Sequence, residues 1–183
     1  TSRPKAVLWT HANALWGAEL NAQHMRLRED DITLVFLPLF HTNAQSYSML
    51  GSMWVGATMV VQPRFSATRF WEASLRNRCT WSSMIPFCVK ALLDQPKPEH
   101  HHYRFWGPAV SMPEASAHFG IATFGWWGMT ETITHGITGD PAHPGPKMCI
   151  GRPSPGYDIS IRRDDGNEAR PGERGALFIR GVR

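Results

Sequence analysis

Apolar residues in this chain fall into short, nearly unbroken runs, separated by longer stretches that are apolar on one side only. Residues 32–37 form one such run and Pro38 closes it. A run of this kind reads as a strand covered on both faces. Residues 44–55 then read as a helix packed through Tyr47, Leu50, Met53 and Trp54, stopped at Gly56. Residues 58–61 are a second buried-looking strand, closed by Pro63. Ser66 is a good N-cap for a helix with Phe70, Trp71, Ser74 and Leu75 at helical spacing. Residues 80–85 are a third strand, and Pro86 suits the first position of the helix that runs to Leu93. Residues 103–106 lead into Gly107, and a short helix at 113–119 precedes the apolar run 121–124. Before all of these, residues 5–9 read as a strand or strand end. Residues 14–25 read as a helix capped by Thr10 or Asn13.

Strand and helix alternate in units of roughly 20 to 30 residues, which predicts right-handed crossovers and a mostly parallel sheet with helices outside it. The fold class expected is therefore α/β. Ligands of such sheets bind beyond the C-terminal ends of the strands. The loops at His41, Pro86, Gly107 and Trp126 leave such ends. After Gly136 the texture changes to a long loop rich in proline and glycine. Residues 157–162 and 175–180 follow as an antiparallel hairpin around Asp165-Gly166. The domain division expected is 1–146 for the α/β part and 147–183 for the start of a small antiparallel β subdomain.

Composition narrows the function classes. The chain has 183 residues, 42% of them hydrophobic, with a net charge of 19 minus 15, or +4. No basic stripe forms, so nucleic acid is not the expected partner. Cys79, Cys88 and Cys149 have neither disulfide nor zinc spacing and suit a reducing, cytoplasmic setting. No apolar stretch is long enough for a membrane helix. The chain starts at Thr1 without methionine and stops at Arg183 just after a strand-like run. It reads as a piece of something larger.

The richest chemistry lies in Gly125-Trp126-Trp127-Gly128-Met129-Thr130-Glu131-Thr132. Glycines permit a tight turn or close approach of a ligand, indoles offer flat faces, and a carboxylate can hold a hard cation. Two readings stand on local chemistry alone. One is a strand end with two core tryptophans and a solvated turn. The other is a nucleotide platform with a hydroxyl donor and a magnesium-type carboxylate.

Taken together, five ordered segments resemble the adenylate-forming (AMP-binding) enzymes. Thr1-Ser2-Arg3-Pro4-Lys5 is similar to the tail of that family's phosphate loop. Leu37-Pro38-Leu39-Phe40-His41 with Asn43 is similar to its second signature. Gly107-Pro108-Ala109 stands where the family lines the adenine. The tryptophan-rich stretch resembles its glycine–tyrosine–glycine–variable–threonine–glutamate signature, with Trp127 for tyrosine. Gly151-Arg152-Pro153 and residues 171–175 match the loop and strand that follow. The branch most resembled is the acyl-CoA synthetases, the carnitine/crotonobetaine-CoA ligases in particular, and the piece corresponds to part of the large N-terminal domain.

The resemblance implies an ATP-dependent acid–CoA ligase using ATP, Mg²⁺ and coenzyme A on a small carboxylic acid; a homo-oligomer is compatible with it. It implies Mg²⁺ contact by Glu131 and a phosphate bond from Thr130. It implies adenine packing by Trp127, Gly128, Gly107, Pro108 and Ala109, and phosphate-loop roles for Thr1 and Lys5. His41 is implied at the junction of acid and nucleotide. Trp81, Met84, Gly125 and Trp126 are the implied acid-pocket walls, with the bulk of Trp126 favouring a small or polar acid. The start of the phosphate loop and the C-terminal domain with its lysine are not in these 183 residues. Two other outcomes stay open: an adenylating enzyme that does not use coenzyme A, and a piece that binds or packs without activity of its own. Thr138-Gly139-Asp140 imitates a later family element and is read as a turn. His100-His101-His102 is not read as a metal site, because adjacent side chains diverge.

Overall fold

A computed structural model describes residues 5–181; Thr1 lies outside them. Five parallel strands form the central sheet in the order β2-β1-β3-β4-β5: β1 Ile32–Val35, β2 Thr58–Val61, β3 Trp81–Ser83, β4 Phe105–Gly107 and β5 Ala122–Thr123. β1 pairs with β2 from Ile32↔Thr58 to Val35↔Val61, and β3 with β4 from Trp81↔Phe105 to Ser83↔Gly107.

Helix α1, His11–Met25, and a π-helical segment, Asn43–Leu50, continuing into α2, Gly51–Val55, cover one face. Helices α3 Ala67–Arg76, α4 Pro86–Leu93 and α5 Pro113–Phe119 cover the other. Alternation along the strands sends side chains to the two cores in turn. Phe105 and Trp81 pack with Met25, Tyr47 and Phe124, while Trp106 and Leu34 pack with Phe70, Trp71, Val89 and Phe119.

Local chemistry explains the helix ends. The Thr10 hydroxyl accepts from Asn13 N–H at 3.1 Å and Thr10 N–H donates to Asn13 Oδ1 at 3.1 Å, so both expected caps act together as a capping box. Ser66 occupies the N-cap of α3 with extended backbone, although its hydroxyl bonds Thr68 rather than the helix. Pro86 takes the first turn of α4, where its missing N–H costs nothing.

Several expectations need correction. Residues 5–9 have no sheet partner; this segment is tethered by the Trp9 indole, which donates to the Thr130 carbonyl. β2 is an edge strand with Thr58 and Val61 exposed, because among the described residues no strand pairs with its other side. Met53 and Trp54 are also exposed, leaving Tyr47 to anchor its segment. Trp126–Trp127 forms a short strand of its own, β6, antiparallel to β7 Ile137–Thr138, which pairs in turn with β8 Arg152–Pro153. The hairpin of β9 Tyr157–Arg162 and β10 Ala176–Gly181 forms as expected, from Ala176↔Arg162 to Gly181↔Tyr157. No helix among the described residues is long and apolar enough to cross a membrane.

One buried carboxylate ties the N-terminal edges of the strands together. Asp31, just before β1, accepts from Arg104 Nε at 3.0 Å and Nη2 at 2.6 Å, from the Thr80 hydroxyl at 2.7 Å, and from Arg28 N–H at 2.9 Å. Asp31 is 2% exposed, so losing it leaves a half-buried guanidinium, the Thr80 hydroxyl and the Arg28 N–H without their acceptor. Asp31→Ala is expected to lower stability by about 3 kcal/mol in denaturant unfolding, and Asp31→Asn by clearly less. Equal unfolding midpoints for Asp31→Ala and the parent would exclude this role.

Candidate functional site

Three loops at the C-terminal ends of strands converge on one cavity of about 430 Å³. The segment after β1 supplies His41, Thr42, Asn43 and Tyr47, the loop after β4 supplies Ala109, and residues 126–131 complete the lining. A parallel sheet builds clefts in this place because its crossovers leave the strand ends open.

Close backbone packing sets the walls. A Cβ on Gly107 would lie 1.8 Å from the Trp126 ring, so the indole rests directly on the end of β4. A Cβ on Gly128 would lie 2.3 Å from the Tyr47 hydroxyl and 2.6 Å from the Thr134 carbonyl oxygen. Ala109 has a left-handed backbone, φ 71°, and its carbonyl accepts from Trp126 N–H at 3.0 Å. That bond fastens the loop after β4 to β6.

The two indoles point to opposite sides of β6. Trp126 is 3% exposed, stacked on His135 with centroids 4.6 Å apart and planes at 21°, and edge-on to Tyr47 and Phe124. It forms the packed floor of the cavity. Trp127 is only half-buried and presents open surface to the lining.

The polar rim follows. The His41 ring accepts at Nδ1 from Asn43 N–H at 3.1 Å, which leaves the ring proton on Nε2 as a donor. The Asn43 side chain is itself fixed by the Ser83 hydroxyl at the end of β3. Trp9 Nε1 holds the Thr130 carbonyl at 2.9 Å, and the Thr42 hydroxyl approaches Thr130 Oγ1 at 3.4 Å, leaving the Thr130 hydroxyl proton free to donate outward. Glu131 is exposed, makes no ion pair among the described residues, and is the carboxylate in the lining. No cluster of three His, Cys, Asp or Glu exists among the described residues. A hard cation at Glu131 would therefore take its remaining oxygens from ligand phosphates and water, which is how Mg²⁺ is commonly held.

The structure thus brings His41, Ala109, Trp126, Trp127, Gly128, Thr130 and Glu131 together. Gly107 and Pro108 are buried behind the wall. Lys5 is exposed on the segment leading to a neighbouring groove lined by Trp9 and Glu131, and does not line the cavity. Gly125 packs against the backbone at Cys149 and Ile150. Trp81 and Met84 have no exposed surface and lie in the two different cores. Thr42 and Trp9 escaped sequence reading. Thr42 adjoins His41 in a polar loop and could have been found there, whereas the reach of Trp9 to Thr130 has no local signal.

Beneath the floor lies a pair of buried imidazoles, His24 and His135, with ring centroids 6.0 Å apart and, among the described residues, no partner within hydrogen-bond distance of their ring nitrogens. Burial pushes His24 down to about 4, with the nearby Pro155 carbonyl opposing only in part. Burial, then the neighbouring His24, holds His135 well below the ordinary histidine range. A further cavity, of about 670 Å³, is lined by His24, Arg26, Asp140 and His143, away from the tryptophan-rich motif. Asp140 there closes a turn with His143 at 3.1 Å and pairs with Arg26 at 3.1 Å.

The chain as a whole resembles known proteins in sequence and in fold. The profile of a family described as AMP-binding enzyme matches residues 1–183. The chain is 35% identical to a crotonobetaine/carnitine–CoA ligase of Salmonella arizonae, over 100% of this chain and 37% of that protein. It therefore spans little more than a third of the length of that relative. It superposes on O-succinylbenzoate coenzyme A synthetase from Bacillus subtilis in complex with AMP with a TM-score of 0.85 and 30% identity, covering 99% of this chain and 48% of that one. The same synthetase in complex with ATP and magnesium ion gives 0.83 and 28%, covering 99% and 39%.

Proposed function

Since the chain belongs to the AMP-binding enzyme family, we propose that it forms the nucleotide-facing part of an AMP-forming acid–CoA ligase. The observation that carries this reading is the convergence of His41, Ala109, Trp127, Thr130 and Glu131 from three strand-end loops on one cavity.

In the first step, a carboxylate oxygen of the acid attacks the α-phosphorus of ATP. The bond to pyrophosphate breaks, and an acyl-adenylate forms. In the second, the thiol sulfur of coenzyme A attacks the acyl carbon, AMP leaves with the electron pair of the broken bond, and the thiol proton passes to solvent. The protein must orient donors at the phosphate oxygens, where charge gathers. The Thr130 hydroxyl, with its proton uncommitted, donates to the α-phosphate. The open face of Trp127 packs against adenine opposite the loop at Ala109. His41 Nε2–H donates to the acid carboxylate or the adenylate carbonyl; it removes no proton, because the acid is already ionised at neutral pH. Glu131 would hold Mg²⁺, which supplies neutralisation of phosphate charge. Trp126 fills the floor from the end of β4 to His135, and this bulk supports a small acid.

The deciding experiment uses the full-length protein with ATP, Mg²⁺, coenzyme A and a carboxylate panel graded by chain length. Acid-dependent AMP release with an acyl-CoA product, strongest for short acids, is expected. AMP release without a thioester would move the protein to a different adenylating class, and no acid dependence across the panel would sink the ligase reading.

A further inference from the structure

Ile133 has φ 57°. A β-branched side chain is rarely found in left-handed backbone, and such strain persists only where the surroundings impose it. This residue lies two positions after Glu131, in the loop that presents Thr130 and Glu131 to the cavity.

What imposes the conformation is a closed, buried set of polar bonds from another part of the chain. Asn21 of α1 has no exposed surface. Its Nδ2 donates to the Ser46 hydroxyl at 3.0 Å, and that hydroxyl donates to the Ile133 carbonyl at 2.5 Å. Asn21 Oδ1 accepts from the Thr134 hydroxyl at 2.5 Å and from His135 N–H at 3.4 Å. One amide thus grips the loop at the carbonyl of the strained residue and at the two residues that follow it. One turn earlier on α1, a Cβ on Gly17 would lie 3.3 Å from two Ile133 side-chain carbons, so the Ile133 side chain packs closely on the helix at a position without a side chain. Within the loop, Ile133 N–H bonds the Met129 carbonyl at 3.2 Å and the Thr132 hydroxyl engages the Met129 backbone at 3.0 Å. Motion at Ile133 therefore passes directly to residues 129–131.

We infer that Asn21 is a positioning residue for the nucleotide cleft: it holds Ile133 in its left-handed conformation through Ser46 and Thr134, and so fixes where Thr130 and Glu131 stand. The inference rests on the ligase reading for its activity readout but not for its structural one. Asn21 touches no substrate; it acts through the loop. A buried amide with every polar atom satisfied suits this work, since a hydrogen-bonded network has one geometry where an apolar contact has several.

The experiment is a double-mutant cycle in the full-length protein, between Asn21→Leu and Ile133→Gly. Glycine accepts the left-handed conformation without strain, so the loop then has less reason to leave when the grip is removed. Asn21→Leu alone is expected to raise the KM for ATP by about tenfold or more, with a smaller change in kcat, and to speed amide exchange at 129–135. In the Ile133→Gly background the same substitution should raise the KM by less than about threefold. Should Asn21→Leu fail to fold, Asn21→Asp keeps the acceptor for Thr134, removes the donor to Ser46, and is read in the same way with a smaller shift. An unchanged KM and unchanged exchange in the Asn21 variant, or an equal KM cost in both backgrounds, overturns the inference. If the parent protein releases no AMP with any acid, the ligase reading fails, and amide exchange alone then decides the role of Asn21.

Discussion

Glu131→Ala in the full-length protein is expected to lower acid-dependent AMP formation by about a hundredfold or more, with the folded state left intact. The size follows from the number of carboxylates available. Glu131 is the carboxylate lining the cleft, and among the described residues no cluster of acids stands by to replace it. Loss of a preorganised partner for transition-state charge costs about 10²–10³ in rate. Stability should move by no more than about 0.5 kcal/mol, because the side chain is exposed and makes no ion pair among the described residues. Glu131→Gln should be nearly as slow as Glu131→Ala, since the amide keeps size and polarity but loses the charge. A glutamine variant with near-parental rate would mean that Glu131 holds no cation.

The second large effect is acid lability of the floor. His24 titrates near 4 in the folded protein against 6.5 in the unfolded chain. Burial keeps its neutral form, so protons bind the unfolded state more readily. Stability is therefore complete above pH 6.5 and falls as the pH drops towards 4. For His24 alone the loss reaches about 3 kcal/mol at the lower end. His135 is shifted in the same direction and adds to it. Equilibrium unfolding of the parent between pH 7.5 and about 4.5 should show this decline, and His24→Leu should flatten it. Parallel slopes for parent and variant would mean that the imidazoles do not titrate with unfolding.

Much of this architecture is legible in the sequence. Prolines and glycines punctuate apolar runs so regularly that the strand–helix order could be followed, and with it the end of the sheet where ligands bind. Local signals were weaker where the outcome depends on neighbours. Residues 5–9 have the composition of a strand but find no sheet edge to join. The run at 58–61 looks buried but lies at the edge, because apolar content does not say how many strands flank it. The tryptophan pair was recognisable as special, and adjacent positions on a strand must face opposite ways. Only the pairing of β6 with β7 shows which indole goes under and which stays open. Asn21, Ser46 and Ile133 were invisible to sequence reading, since an asparagine inside a helix is ordinary until its distant partners are known.

The contact between Gly107 and Trp126 also constrains how this cleft can change over generations. Any side chain at position 107 collides with the indole while Trp126 remains, so the first step along that route is blocked. If a small residue first replaces Trp126, the collision disappears and position 107 becomes permissive. A larger residue accepted at 107 would then bar the return of tryptophan. The pair acts as a one-way gate in sequence space, and lineages that crossed it would carry different cleft floors on the same sheet.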